Sequence, residues 1–485
     1  MIVDCGAVER LEALSARALA DLEKIAYASG EWSFPLEYEG QPVLDVAIIG
    51  AGQGGLATAF ALRRLGIRNV CIFERASEGG EGPWTTFARM ITLRTPKHVT
   101  GPDLGVPSLT PQSWYEARYG HDAWQSLGKI SRQDWQFYLD WLRKTLTLPV
   151  KYEHRLSDVS WEEGLLHLTF ESAEGLKKVI ARKMVLATGI DGGGEWFVPK
   201  FISSQISPAL YAHTHQEIDF STLVGKRVGV LGAGASAFDN AATALEEGAA
   251  SVELSFRRKE LPKINPYRWM ENAGFLAHFS ALPDVTRWRF MRHIYESNQP
   301  PPQDTFWRCR KHANFSLLAG SPWLSVKSIN GGQSVAVETP HGVREYDFLI
   351  IGTGFTVDLA LRPEMSAIAP KIARWGDRFV PPQGEENALL SSHPYLGSKF
   401  EFLPLSGGED SEMLASIHNF TFAATPSMGL GGSSISGMRF GVDRLARGIA
   451  EDLFVQDGEM HLEDLLHYDT PELVSLDVPE ENWTV

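Results

Sequence analysis

Two glycine fingerprints of one type, each set between a short apolar strand and a helical stretch, constrain this chain more than any other feature. The first is Val46-Ala47-Ile48-Ile49-Gly50-Ala51-Gly52-Gln53-Gly54-Gly55, and the second is Val228-Gly229-Val230-Leu231-Gly232-Ala233-Gly234-Ala235-Ser236-Ala237. In such a strand–G-x-G-x-x-[GA]–helix unit the first glycine allows a tight turn. The second lets the backbone approach a pyrophosphate seated on the helix N-terminus. The third position must be small so that helix and strand can touch. One such motif is a weak signal. Two on one chain, each followed by a group placed to read a ribose, predict two dinucleotides bound at once.

The strand ends after each fingerprint separate the two ligands. The first unit runs through Asn69–Phe73 and ends at Glu74, with Arg75 beside it. A carboxylate there accepts hydrogen bonds from ribose hydroxyls and repels a 2′-phosphate, which suits FAD or NAD. The second unit runs through Ser251–Phe256 into Arg257-Arg258-Lys259. Cations at that place suit the 2′-phosphate of NADP, which arginine grips bidentately.

Charge and cysteine usage exclude several classes. The chain has 485 residues and a net charge of −15 with no compensating basic tract, which argues against nucleic acid as a partner. The N-terminus carries Asp4, Glu9 and Glu12 and lacks a long apolar core, so no secretory signal is expected and a cytoplasmic location is. No stretch approaches 18 uncharged apolar residues, so no membrane span is expected. The three cysteines, Cys5, Cys71 and Cys309, show no paired spacing, unlike a disulfide reductase, which needs two neighbouring thiols beside its flavin. Cys71 lies inside an apolar strand and reads as a buried small hydrophobe. The 14 histidines form no metal-ligand pattern. Oligomeric state is left open.

Along the chain, residues 1–40 form an N-terminal extension in which Leu11, Leu14, Ala18, Leu22 and Ile25 fall at helical spacing, predicting a helix over 7–27. Residues 41–200 hold the first nucleotide unit and a helical insert. In the insert, Ser131-Arg132-Gln133-Asp134 predicts a capping box ahead of Trp135, Tyr138, Leu139 and Leu142. Short strands are expected near 155–159 and 165–170. Residues 205–339 hold the second unit, and 340–455 return to strand, loop and helix. The acidic tail, 456–485, is expected to be irregular from Phe454 onward. Met184-Val185-Leu186-Ala187-Thr188-Gly189 and Phe348-Leu349-Ile350-Ile351-Gly352-Thr353-Gly354 are apolar strands that both stop in T-G, as if the chain leaves one domain and later returns to it. The expected class is α/β, with two Rossmann-like dinucleotide-binding domains, the NADP domain inserted into the FAD domain.

With these parts in this order the chain resembles the class B flavoprotein monooxygenases, which comprise the flavin-containing, N-hydroxylating and Baeyer–Villiger enzymes. The resemblance covers roughly residues 43–450. That family carries a G-G-x-W segment, here Gly79-Gly80-Glu81-Gly82-Pro83-Trp84 with the glycine pair displaced. It also carries F-x-G-x-x-x-H-[ST] before the second fingerprint. Here His213-Thr214 holds the place, with Ser207 and Ala209 where Phe and Gly would stand. The resemblance implies FAD and NADPH as cofactors and O₂ and a small organic molecule as substrates. Hydride passes to the flavin, a C4a-hydroperoxyflavin forms, and oxygen goes to nitrogen or sulfur. The alternatives are ketone oxygenation, or an oxidase or electron-transfer reductase without oxygen insertion. The segment Met90–His98 is expected near the flavin ring, with Arg94, Lys97 and His98 as catalytic candidates that bind NADP⁺, stabilise an anion or move a proton. Trp84, His213 and Thr353 are expected at cofactor contacts. The loop through Gly429 and Leu430, ahead of a helix over 439–453, is expected to turn backbone N–H groups toward the flavin. The aromatics between Asn265 and Trp307 are expected to line a pocket or to pack the second domain.

Overall fold

In the computed structural model, which describes residues 5–25, 30–408 and 410–473, the first fingerprint is a strand over Gln41–Ile49, a turn, and a helix over Gln53–Arg64. Val46–Ile49 are all buried, as a strand covered on both faces requires. This strand lies parallel to Val70–Phe73 on one side and to Gly175–Leu186 on the other. The latter is long enough to serve two partners. Its first half pairs antiparallel with Leu165–Ser172, which pairs in turn with Arg155–Glu162. Its last residues pair parallel with Ile417–Asn419, and through that strand the C-terminal part of the chain rejoins the first sheet.

The second fingerprint stands in a sheet of five parallel strands, in the order Phe315–Leu318, Ser251–Ser255, Arg227–Leu231, Phe348–Ile351, Tyr211–His213. The helix Ala235–Glu246 packs on it through Ala237, Phe238, Ala241 and Ala242. One expectation is corrected here. The strand ending in Thr353-Gly354 was expected to belong to the returning FAD domain, after a boundary at 339/340. It is instead the neighbour of the second fingerprint strand, with Ile350 beside Val230. An apolar strand suits the interior of either sheet, and only its partner decides. The crossing itself is made by the linkers: Gly194–Trp196 and Phe355–Val357 pair antiparallel as a two-stranded ribbon.

The N-terminal helix spans Cys5–Lys24, with Ala18 and Leu22 buried; residues 26–27 of the expected helix lie outside the described residues. It docks on the insert. Arg10 Nε donates to the Ala117 carbonyl at 2.7 Å, and the Trp141 indole donates to Ser15 Oγ at 2.9 Å. Ser131 caps the helix Arg132–Thr145 by accepting from the Asp134 N–H at 2.9 Å, but its hydroxyl donates to the Asp134 carboxylate, so the reciprocal half of the expected box is replaced. The tail is also corrected. The helix Ile435–Gln456 runs into a further one over Gly458–His467, while residues 474–485 lie outside the described residues. Asp457 at the junction is bound by both terminal nitrogens of buried Arg182, at 2.8 and 2.6 Å, and His461 stacks on Phe454 at 4.4 Å.

Candidate active site

The three glycines of the first fingerprint divide the labour as their chemistry demands. Gly50 has φ +106°, and a Cβ there would meet the Ala187 carbonyl oxygen at 2.7 Å. A Cβ on Gly55 would lie 1.9 Å from the Gly50 oxygen, so this position holds the helix against the turn. A Cβ on Gly52 would meet nothing within 4 Å. The face of the helix N-terminus that a pyrophosphate would occupy is therefore open. Glu74 is buried at the adjoining strand end, where its carboxylate accepts from the Ala51 N–H and the Ala76 N–H, both at 2.9 Å. Those bonds fix its orientation and leave lone pairs for ribose hydroxyls. Beside it a cavity of about 130 Å³ is lined by Ile49, Arg75, Arg155, Leu156, Thr188 and Arg362. These features fit a bound dinucleotide.

The far end of this site is closed by the C-terminal loop. Gln53 donates to the Gly432 carbonyl and accepts from the Trp135 indole at 3.2 Å, and Gly432 comes close enough to Gly54 that a Cβ there would touch it at 3.2 Å. Trp84 packs edge-on against Trp135, and Arg132 donates to the Trp84 carbonyl. The loop through Gly429 and Leu430 is anchored from below. The Ser427 hydroxyl accepts from the Trp375 indole, and its carbonyl accepts from buried Arg287. Sequence reasoning missed Arg287 and Trp375, which lie far from either fingerprint. Arg287 lies over the Trp375 ring, and Trp375 belongs to a core in which Phe275, Phe279 and Trp288 pack with Leu390 and Leu430, so these aromatics seat the loop, while Trp269 and Trp307 are exposed.

The second fingerprint repeats the pattern. Gly232 has φ +124° and backs onto the Gly352 oxygen, Gly234 has open space where a Cβ would stand, and Ala237 packs against Gly352. Ala235 and Ser236 open the helix. The two arginines part company. Arg258 donates to the Glu296 and Ser297 carbonyls at 2.7 and 3.1 Å and so covers the C-terminus of the helix Asp284–Ser297. Arg257 is exposed at the strand end.

Of the expected catalytic group, Arg94 points to the second domain and binds Asp239 Oδ2 at 3.2 Å. Lys97 is committed to the Trp124 carbonyl at 2.6 Å and lies over the Trp124 ring, which holds the loop against the helix His121–Ser126. His98 is exposed. Thr353 donates to the Phe197 carbonyl and so ties the two linkers together. His213 is buried, with the Trp196 ring tilted against it at 5.1 Å; His215 stacks on the same Trp196 ring and meets Phe87 edge-on. The His215 N–H donates to His213 Nδ1 at 3.2 Å, while His213 Nε2 is buried without a partner among the described residues.

Burial holds His213, His215, His393 and His418 neutral, each pushed down to about 4. In the unfolded chain these rings titrate near 6.5. Between those values the unfolded state binds protons that the folded state refuses, so their contribution to stability falls as pH drops from 6.5 toward 4. Each ring contributes a slope of up to about 1.4 kcal/mol per pH unit. Buried carboxylates raised by the same burial, Asp103 among them, act in the opposite sense. The informative quantity is therefore a difference. His393→Gln should flatten the acid limb of stability relative to the parent by up to that slope, measured by thermal denaturation from pH 7 to 5. Parallel limbs would contradict the assignment.

A family model described as pyridine nucleotide-disulphide oxidoreductase matches residues 47–272, which span both fingerprints. Among the described side chains Cys71 and Cys309 are free and buried in separate cores. The fold is that of the ornithine N-hydroxylase of Kutzneria sp. 744 (TM-score 0.66, 15% identity, covering 85% of this chain and 100% of that one). It is also that of the L-lysine 6-monooxygenase of Pseudomonas syringae (TM-score 0.63, 17% identity, 84% and 99%). No helix among the described residues is long and apolar enough to cross a membrane. Over 458 residues the chain is 44% identical to the FAD-dependent urate hydroxylase of Xanthomonas campestris pv. campestris, covering 94% of this chain and 95% of that protein. The chain belongs to the same family as that FAD-dependent urate hydroxylase and is a flavin-dependent monooxygenase.

Proposed function

We propose that the chain binds FAD at the first fingerprint and NADPH at the second, and that it hydroxylates urate. The observation that carries the substrate is the 44% identity to a urate hydroxylase along nearly the whole of both chains. The cofactor roles rest on the two fingerprints. Glu74 would hold the FAD ribose, with Arg75 and Arg155 at the adenine end. The open face at Gly52 would take the pyrophosphate, and the helix start at Ile435 would face the flavin pyrimidine with its positive end. FAD supplies hydride acceptance and activation of O₂. NADPH would lie over Gly234, Ala235 and Ser236 with its 2′-phosphate at Arg257. The FAD domain would comprise residues 41–200 and the chain after Gly354, and the NADPH domain residues 205–354. Arg94 would place positive charge at the junction, where it meets an anionic substrate or charge that develops during oxygen transfer.

The test is NADPH consumption with urate, amines, sulfides and cyclic ketones, with ¹⁸O₂ and mass analysis of products. Urate should stimulate NADPH use and gain one labelled oxygen. Anaerobic reduction by NADPH followed by oxygen should show the absorbance of a C4a-hydroperoxyflavin. Arg257→Ala should raise KM for NADPH by about tenfold or more, from the roughly 1.5–3 kcal/mol carried by a charge-assisted hydrogen bond, and leave KM for NADH unchanged. If only amines or sulfides gain oxygen, nitrogen or sulfur oxygenation is the activity. If peroxide forms one-for-one with NADPH across the panel, the chain is an oxidase.

A further inference from the structure

Asp239 stands out as a buried carboxylate on a helix rich in alanine. It lies in the helix Ala235–Glu246, whose buried face is mostly alanine with Phe238, Leu245 and the neutral Asn240, and it is 2% exposed. A buried carboxylate is costly unless it is paired and hydrogen-bonded. Its partners come from two sides. Oδ1 accepts from the Thr305 hydroxyl at 3.0 Å, with Arg308 at 3.6 Å, both on the neighbouring helix Gln303–Arg310 of its own domain. Oδ2 accepts from Arg94 at 3.2 Å, and Arg94 comes from the flavin-side loop of the other domain.

Further contacts cross at the same place. Arg308 donates to the Arg89 carbonyl at 3.4 Å, Arg268 donates to the Arg94 carbonyl at 3.3 Å, and Lys129 pairs with Asp304 at 3.1 Å. Several of these groups wall a cavity of about 240 Å³ between Met90–Arg94 and Thr305–Arg308. Arg94 still has capacity to spare, since its Nε is buried without a partner among the described residues. Asp239 is little more than one turn beyond Gly234, the glycine with open space at the helix start.

We propose that Asp239 is a positioning residue, which holds the Arg94 guanidinium from the NADPH-binding helix so that the seating of the dinucleotide fixes where the charge of Arg94 stands. This rests on the reading above, in which Arg94 serves the reacting centre. The carboxylate itself touches neither cofactor nor substrate. It transmits position because a charged pair with one buried member tolerates little displacement.

The test uses full-length FAD-loaded protein with urate as the probe substrate, comparing Asp239→Asn, Arg94→Ala, the double variant and Asp239→Glu. FAD content, melting temperature, KM for NADPH, kcat and product formed per NADPH consumed are read for each. Asp239→Asn should keep its FAD, melt within a few degrees of the parent, and show KM for NADPH within twofold. Product per NADPH should fall at least fivefold as peroxide rises. Arg94→Ala should lose at least as much, and the double variant should be no worse than Arg94→Ala. Asp239→Glu keeps the charge at a shifted position and should fall between parent and Asn; it carries the same test where Asn fails to fold. Full coupling in Asp239→Asn together with loss in Arg94→Ala overturns the proposal alone. Full coupling in Arg94→Ala overturns the role of Arg94 on which the proposal rests. A parallel loss of FAD, melting temperature and every kinetic constant in both Asp239 variants makes the residue structural and also overturns it.

Discussion

Gly52→Val should fold and lose its flavin, with the ratio of flavin to protein falling at least tenfold on purification. The first half follows from the structure: a Cβ at Gly52 meets nothing within 4 Å, and φ there is −68°, which any residue adopts. The second half follows from the fingerprint, because that open space is where a pyrophosphate must approach the backbone. The control lies three positions on. At Gly55 a Cβ would stand 1.9 Å from the Gly50 carbonyl oxygen, so Gly55→Val must spread helix from turn. Overpacking of this kind costs roughly 1–3 kcal/mol or more. Melting temperatures should be compared between apoproteins, since bound flavin itself stabilises the folded state by mass action. Gly52→Val should match the parent apoprotein, and Gly55→Val should melt well below it. Full FAD occupancy in purified Gly52→Val would remove the first fingerprint from the flavin site.

Arg182→Ala should cost about 3–5 kcal/mol of stability, the range for breaking a buried ion pair from one side. Arg182 has only 4% of its side chain exposed. It grips Asp457 with both terminal nitrogens, reaches Gln456 Oε1 at 3.0 Å and lies 3.5 Å from Asp45. Its removal leaves two carboxylates in low dielectric without their cation. Asp45 and Arg182 sit in the strands well before the Gly50 turn and Thr188, at the end away from the proposed dinucleotide site. The loss should therefore appear in denaturant or thermal unfolding and leave the KM for NADPH of the folded enzyme unchanged. A variant that unfolds within 1 kcal/mol of the parent would show that the pair is solvated or replaced, contrary to the structure.

The sequence by itself determined both strand–turn–helix units, because a tight turn and a small packing residue each require glycine or alanine at fixed spacing, and the structure uses Gly50, Gly55, Gly232 and Ala237 in those two ways. It also determined the N-terminal helix and the buried Cys71, which local periodicity and polarity specify. Only the tertiary structure decided where free valences go. Arg257 and Arg258 are adjacent and chemically equal in sequence, yet Arg258 reaches the end of a helix some forty residues away. Lys97 looked available and is held by the Trp124 carbonyl. The strand Phe348–Ile351 had the pattern of either sheet and joined the second through pairing with Val228–Leu231. The acidic tail had no long apolar stripe, and a buried arginine in a strand ordered its start. Asp239 carried one legible sign, an acid inside an alanine-rich helix, but its partner Arg94 lies 145 positions earlier. Local sequence fixes backbone conformation through short-range sterics. The partner of a charge or a strand edge is chosen by distant segments that meet only on folding.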